Sequence, residues 1–570
     1  MKILLCTLNA RFFHVSLALH SIRSNQPKED PNEVLLKEYT INQDLRDIMG
    51  DVLSGGANVL AFGVYIWNKG IIFRLARMIK AANPDIQIVL GGPEVSYDPE
   101  EFLSENEWID AIVLGEGERS FWQLMANWTT GNREPVLGVA QAWETNSDYR
   151  KYQEIEDLSQ LAFAYEKTSI EEIENRIAYY ESSRGCPFSC SYCLSGLDGR
   201  VRSREAQFVK ADLDKLIAKK VKQIKFVDRT FNANPNHFNE IIQYLAELKN
   251  PLNFHFEMDA AILKEETVDI LAMLPKGRVQ LEIGIQSTSQ KTLEAVGRHH
   301  AFEKESVIIR KLKQGTEIHL HLDLIAGLPY EGMESFQKSF NDVLALAPHQ
   351  LQLGFLKMLR GSRIRSESNQ YGYCYDKEAP YEVVANPWLS AEEFHQLRMV
   401  EHCLEETWNA GRFKKVLSFL FDEIYENNFF KCFLALAKIL QYPGNLMIGR
   451  NGKWWAEALF NEISKNIKWE KHAVKLRALL KWDILIMEKG KWKPDFIQWS
   501  DFQRETFWRD EERVCQYIPG YRFTTWRNVH RSYGIEKFPL SIIEGGVSTD
   551  KEVEIIIQLE EPFRWWKMKK

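Results

Sequence analysis

Over the first 140 or so residues, short apolar runs alternate with amphipathic stretches of helical period. The runs predict strands at Lys2–Leu8, Leu35–Ile41, Val59–Tyr65, Ile86–Leu90 and Asp110–Leu114. The stretches between them predict helices at Val15–Arg23, Asp44–Leu53, Ile71–Ala82 and Ser120–Trp128. Strands that alternate with helices in this way build a parallel α/β sheet of Rossmann-like type. Glycine-rich loops follow the fourth and fifth strands, at Gly91-Gly92-Pro93 and Gly115-Glu116-Gly117. The third strand runs into Val64-Tyr65-Ile66-Trp67. Open parallel sheets bind ligands at that carboxyl edge, although such glycines can equally do no more than turn the chain.

An acid-rich segment without periodicity, residues 141–175, reads as a linker. A second α/β region, residues 176–385, then offers six strands: Arg176–Tyr180, Gln223–Val227, Asn253–Met258, Val279–Ile283, His319–Ile325 and Gln350–Leu356. Six strands with helices between them predict a partial (β/α) barrel, with its chemistry at the carboxyl ends. A third, mostly helical region covers residues 390–570. It opens on the capping-box pattern Ser390-Ala391-Glu392-Glu393 and shows helical spacing at Leu397–Leu440 and Trp455–Met487. Residues 521–560 look more strand-like, most clearly Val553–Leu559.

Composition narrows the class. The 570 residues are too many for one ordinary domain, and 45% hydrophobic with 26% charged residues is a globular balance. The net charge of −7 gives no general attraction to nucleic acid. Residues 391–570 carry 29 Lys/Arg against 26 Asp/Glu, so the back of the chain is nearly neutral and the front acidic. Eleven of the 17 tryptophans lie beyond residue 400, some beside lysines and arginines. That charge balance favours a core or a lid over a small substrate rather than a surface for stacked bases. No apolar run reaches the ~18 residues of a membrane span. MKILLCTLNA reads as a buried strand rather than a signal peptide.

The eight cysteines form no disulfide framework, which suits a reducing cytoplasm. Three of them crowd into Gly185-Cys186-Pro187-Phe188-Ser189-Cys190-Ser191-Tyr192-Cys193, a C-x-x-x-C-x-x-C loop just after a predicted strand. Three thiolates on one loop can hold three corners of an iron–sulfur cube and leave the fourth iron open. Structural zinc would need a fourth Cys or His close by, and none lies within 40 residues on either side. Cys374, Cys403, Cys432 and Cys515 are too scattered for a second cluster.

The loop resembles the signature of the radical S-adenosylmethionine (SAM) superfamily. Further stretches agree, in family order: Lys225-Phe-Val-Asp228, Glu282-Ile-Gly-Ile-Gln286-Ser287, Asp323-Leu-Ile-Ala-Gly327-Leu-Pro329 and Leu356–Ser362. The resemblance implies a [4Fe-4S] cluster on Cys186, Cys190 and Cys193, and SAM held near Tyr192, Asp228, Glu282, Gln286, Ser287 and Gly327. In that family an electron from the cluster cleaves SAM to a 5′-deoxyadenosyl radical. Arg229 departs from the acid that many relatives have, which weakens the amino-group contact. Read alone, Glu282 would more often be a salt-bridge partner.

With the barrel so assigned, the front region resembles the cobalamin-binding domain that precedes many of these barrels. The resemblance rests on Val89–Glu94 and Val113–Glu118 and implies cobalamin beside Asn9, Tyr65, Gly91, Gly92, Pro93, Gly115, Glu116 and Gly117. The Asp-x-His-x-x-Gly motif of cobalamin mutases is absent. His14, in the equivalent turn, is expected to cap or pack rather than to bind cobalt. The layout as a whole is similar to cobalamin-type radical SAM proteins that end in a domain of unknown function, with Tyr371–Tyr375 and Pro380–Val384 leading into it.

This implies a C-methyltransferase that acts on an unactivated carbon of a small molecule and draws electrons from a donor such as flavodoxin or ferredoxin. Rearrangement or cyclisation with the same cofactors is the alternative. A non-catalytic cobalamin sensor or carrier has no need of the cysteine triad. Methylthio transfer to transfer RNA would need extra cluster cysteines in the front domain.

Overall fold

A computed structural model describes residues 1–142, 154–196, 199–299, 301–440, 450–500, 505–539 and 552–568. Parts of the linker (143–153) and of the strand-like C-terminal stretch (540–551) lie outside the described residues. The chain divides into two compact units. The first is Met1–Ser339, Leu346–His349 and Leu353–Phe394; the second is His395–Lys570 with Phe340–Ala345 and Gln350–Gln352.

The first unit begins with a six-stranded sheet. Its elements run β1 (Lys2–Asn9), α1 (Leu17–Ser24), β2 (Glu33–Thr40), α2 (Leu45–Ser54), β3 (Val59–Gly63), α3 (Lys69–Ala82), β4 (Gln87–Gly91), α4 (Pro99–Glu105), β5 (Ala111–Val113), α5 (Gly117–Thr130) and β6 (Val139–Gln141). The strand order is β2-β1-β3-β4-β5-β6, parallel except for β6, which pairs antiparallel with β5. In β1, Ile3, Leu4, Leu5 and Cys6 are all buried because helices cover both faces. Leu4 and Cys6 join one core with Phe62 and Leu75, while Ile3 and Leu5 join the other with Phe121 and Trp122. The order reverses direction between β1 and β3, which opens a crevice at the carboxyl edge there.

A second parallel sheet follows: β7 (Ile177–Tyr180), β10 (Gln223–Phe226), β11 (Asn253–Met258), β12 (Val279–Gln286), β13 (His319–Ala326) and β14 (Gln350–Phe355), each hydrogen-bonded to the next. The expected partial barrel is therefore present. Between β7 and β10 a hairpin of β8 (Ser183–Gly185) and β9 (Val201–Ser203) brackets the cysteine loop. A small antiparallel pair, β15 (Cys374–Tyr375) and β16 (Val383–Ala385), comes next. The predicted capping box forms: Ser390 N–H donates to Glu393 Oε2 at 2.8 Å, and Glu393 N–H to Ser390 Oγ at 3.2 Å.

The second unit is mostly helical, with helices including Phe429–Leu440, Gly452–Lys465 and Ala473–Met487. It closes with an antiparallel sheet of β17 (Tyr533–Pro539), β18 (Glu552–Gln558) and β19 (Trp565–Lys567). Its tryptophans build core: Trp455, Trp469 and Trp508 are buried, and the Trp469 indole donates to Tyr425 Oη at 3.0 Å. No helix among the described residues is long and apolar enough to cross a membrane.

Candidate functional site

The carboxyl edges of the two parallel sheets line one cavity of about 1090 Å³. Asn9, Tyr65, Pro93, Gly115, Glu116 and Gly117 line it from the front sheet, and Tyr179, Glu181, Tyr192, Cys193, Arg229 and Glu257 from the barrel. A narrower cavity of about 340 Å³ lies between the front sheet and its helices. It is lined by Ala18, Gly91, Gly92, Val113, Gly117 and Phe121, among others. Tyr65, Pro93, Gly115 and Gly117 line both. All eight residues expected to hold cobalamin therefore border one cavity or both.

Several of them are fixed by the backbone. A Cβ on Gly92, which has φ +111°, would stand 2.4 Å from the Val64 carbonyl oxygen, so β3 and β4 close on a position that only glycine fits. Gly115 has φ 59°. The Tyr65 and Trp67 rings stack in parallel at 4.6 Å, and Trp67 remains exposed at the rim. Asn9 is buried, its amide donating to the His14 carbonyl at 3.0 Å and to Glu38 at 3.2 Å. His14 packs against the barrel, its Nδ1 2.8 Å from Tyr179 Oη. Burial and the charges of Lys225, Arg11 and Arg176 hold its pKa below the usual imidazole value.

Partly buried ion pairs tie the two walls together. Arg184 reaches Glu118 at 2.5 Å, Glu181 at 2.7 Å and Glu116 at 3.2 Å, while Arg202 also pairs with Glu116. Glu116 further accepts from the Ile155 N–H at 2.8 Å. Opposite, Lys69 donates to Tyr381 Oη at 2.8 Å, and that hydroxyl donates to Glu94 at 2.7 Å.

The cysteine loop is cut to fit. A Cβ on Gly185 would lie 1.9 Å from the Arg200 carbonyl oxygen, and one on Gly196 1.7 Å from that of Phe188. The loop is pinned to the barrel where Ser191 N–H donates to Val296 O at 2.8 Å and Ile364 N–H to Ser191 O at 2.9 Å. Cys186 is buried, with Thr230 Oγ1 3.3 Å from its sulfur; Cys190 and Cys193 are half-buried. The Ser195 N–H donates to Cys193 Sγ at 3.4 Å. Burial raises the pKa of Cys190, against the opposing pull of the Arg298 guanidinium and the Tyr192 hydroxyl. Three free thiols within one anchored eight-residue loop, with an N–H and a hydroxyl on two of the sulfurs, match the donor set of a thiolate-held cluster.

The residues expected around SAM divide into two groups. Gln286 ends β12 in a left-handed conformation, φ 69°, and its buried Oε1 has no hydrogen-bond partner among the described residues. An orphaned polar atom on a strained strand end points to a missing ligand. Gly327, φ 97°, directly follows β13, and Tyr192 lines the large cavity. The others are engaged by protein. Asp228 is fully buried and accepts from Ser182 and Ser183, and burial raises its pKa to about 6. Ser287 donates to the buried Glu331 at 2.6 Å. Glu282 sits four residues before the end of β12, 3.0 Å from His255 Nε2.

The alternation of β12 and β13 makes the barrel interior polar. In β13 the leucines at 320, 322 and 324 are buried, while His319, His321 and Asp323 alternate with them. In β12, Gln280, Glu282 and Gln286 alternate with buried Leu281, Ile283 and Ile285. Burial raises the pKa of Glu257 to about 7, with Arg229 opposing and Glu282 and Asp323 adding to it. The period of two was readable from the sequence, but it shows which residues face the lumen only once the strands are known to curl into a barrel.

Three family matches divide the chain: "B12 binding domain" over residues 21–124, "Radical SAM superfamily" over 180–343, and "Protein of unknown function (DUF4080)" over 369–557. Among curated proteins, the chain is 25% identical over 394 residues to the cobalamin-dependent radical SAM methyltransferase TokK of Streptomyces tokunonensis, covering 65% of this chain and 57% of that protein. It is 27% identical over 317 residues to the 2-(S-pantetheinyl)-carbapenam-3-carboxylate methyltransferase of Streptantibioticus cattleyicolor, covering 51% and 46%. It is also 28% identical over 284 residues to the anaerobic magnesium-protoporphyrin IX monomethyl ester cyclase of Rubrivivax gelatinosus, covering 47% and 50%. The chain thus spans about half the length of the curated relatives it matches. Among solved structures, apo OxsB, a cobalamin-dependent S-adenosylmethionine radical enzyme, matches with TM-score 0.61 at 14% identity, over 87% of this chain and 81% of that one. That likeness is one of fold.

Proposed function

Because the chain belongs to the radical SAM proteins that carry a B12 binding domain ahead of the barrel and a domain of unknown function behind it, we propose that it is a cobalamin-dependent methyltransferase acting on an unactivated carbon of a small molecule. The observation that carries this reading is the shared cavity, which sets the glycine loops of one sheet edge opposite the cysteine loop of the other. When bound, the cluster supplies the electron that cleaves SAM, and cobalamin carries a methyl group.

The chain's own residues position these groups. Cys186, Cys190 and Cys193 hold the cluster. Tyr192, Gln286 and Gly327 take SAM at the strand ends, while Asp228, Ser287 and Glu282, bound to protein partners, set those ends from behind. Tyr65, Pro93 and Gly115 in the large cavity and Gly91 and Gly92 in the narrow one would hold cobalamin. The ion pairs of Arg184 hold the two walls together. Eight free cysteines fit a reducing cytoplasm, where flavodoxin or ferredoxin would deliver the electron.

Cyclisation with the same cofactors is the second reading, supported by the likeness to the Rubrivivax cyclase. Reduced, reconstituted protein supplied with methyl-deuterated SAM and a metabolite extract separates the two. Methyl transfer places the label in a product seen by mass spectrometry. A product formed with 5′-deoxyadenosine but without label would favour cyclisation.

A further inference from the structure

Three adjacent barrel strands bring His255 (β11), Glu282 (β12) and His321 (β13) to one point of the lumen. Glu282 is paired in register with His321, and His255 with the nearby Gln280. One donor atom from each residue lies within 4.8 Å of the others. His255 Nε2 is 3.0 Å and His321 Nδ1 3.9 Å from Glu282 Oε2. Ligands about 2.0–2.2 Å from a tetrahedral ion stand roughly 3.4 Å apart. The two separations from Glu282 bracket that value, and the two imidazole nitrogens lie within 4.8 Å of each other. The other nitrogen of His321, Nε2, lies 3.2 Å from Asp323 Oδ1. The contact is an ion-pair approach without hydrogen-bond alignment, and a small ring rotation would bring it to the carboxylate-on-far-nitrogen arrangement common at metal-ligating histidines. A plain histidine–glutamate hydrogen bond accounts for the His255 pair, but not for a second imidazole that converges on the same oxygen. Glu257, Glu282 and Asp323 lie close together there, with Arg229 4.0 Å from Glu257 and Lys225 in register with His255 on the neighbouring strand.

We propose that His255, Glu282 and His321 bind a divalent late first-row metal ion, zinc or ferrous iron, with Asp323 as the residue that orients His321. Two imidazoles and one carboxylate leave a coordination position open to water or to an oxygen or nitrogen of a small molecule. The site shares no residue with the cysteine loop and does not rest on the proposed methyltransferase reading.

The test is to titrate the anaerobically reconstituted full chain with Zn²⁺, desalt it, and count metals by mass spectrometry, with iron in the same sample reporting the cluster. Wild type should retain about one zinc per chain, as expected for a single three-ligand site. His255→Asn, Glu282→Gln and His321→Asn should each lose it and keep their iron. Asp323→Asn should weaken zinc by about 10- to 100-fold. The Cys186→Ala/Cys190→Ala/Cys193→Ala protein should keep zinc and lose iron. X-ray absorption at the zinc edge of wild type, which needs no variant to fold, should show nitrogen and oxygen ligands with imidazole. A sulfur shell, zinc that leaves with the cysteines, or wild type holding no more zinc than His255→Asn would overturn the site.

Discussion

Glu331 has no exposed surface, and Ser287 and Ser339 donate to its Oε1 at 2.6 and 2.7 Å. Burial outweighs those hydrogen bonds and raises its pKa from 4.5 to about 7. The folded state therefore holds this proton more tightly than the unfolded state does. Its contribution to stability is full below about pH 4.5 and declines as pH rises toward 7, with a slope of at most about 1.4 kcal/mol per pH unit. Glu331→Gln cannot ionise and should lose less stability between pH 5 and pH 8 than wild type, as urea midpoints at the two values would show. Equal losses would mean that Glu331 stays charged throughout. The glycines differ in the same residue-by-residue way. Gly92 is closed to any side chain by the Val64 carbonyl, so a bulky residue there would disturb the sheet as well as the cavity. A Cβ on Gly117 meets only the Ile22 and Val113 side chains, at 3.5 Å, and a plug at that position would leave the sheet intact.

At the scale of elements, the cysteine loop was legible in the sequence because its chemistry is local: three thiols at fixed spacing on one turn. Its supports were not. Gly196 and the hairpin strands β8 and β9, three residues each, carry no periodicity, and they matter only through contacts that close the loop on itself. The parallel strands were readable for the opposite reason, since helices on both faces of the front sheet make the inner runs β3, β4 and β5 apolar. Helix α4 and strand β6 were missed because seven and three residues give too short a window for a pattern. Asp228 and Glu282 had matching motif positions, but the hydrogen bonds that occupy them come from Ser182, Ser183 and His255, 25 residues or more away in the chain. For the loop itself, reconstituted wild type should hold about four irons per chain. Under reduction it should release 5′-deoxyadenosine from SAM. The triple cysteine-to-alanine protein should do neither. A full complement of iron in that variant would move the cluster to other ligands.

For the whole first unit, the account rests on two sheet edges meeting at one cavity, with the front sheet binding a large cofactor opposite the cluster. Arg184 expresses that arrangement: one guanidinium spans Glu116 and Glu118 of the front sheet's last loop and helix and Glu181 of the barrel. The second unit carries its own cores, one around Phe507, Trp508 and Ile556 and another around Phe538 and Ile557. The most direct measurement is the cobalamin retained after hydroxocobalamin loading and desalting, read from its absorbance beside the iron content of the same sample. Wild type should keep about one equivalent, as a single crevice at the switch point requires. His14→Ala should keep it too, because His14 is held by Tyr179 and has no assigned role at cobalt. Gly117→Phe, which fills the narrow cavity, should lose cobalamin while retaining its iron. Wild-type protein that carries its irons but keeps no cobalamin would contradict the account.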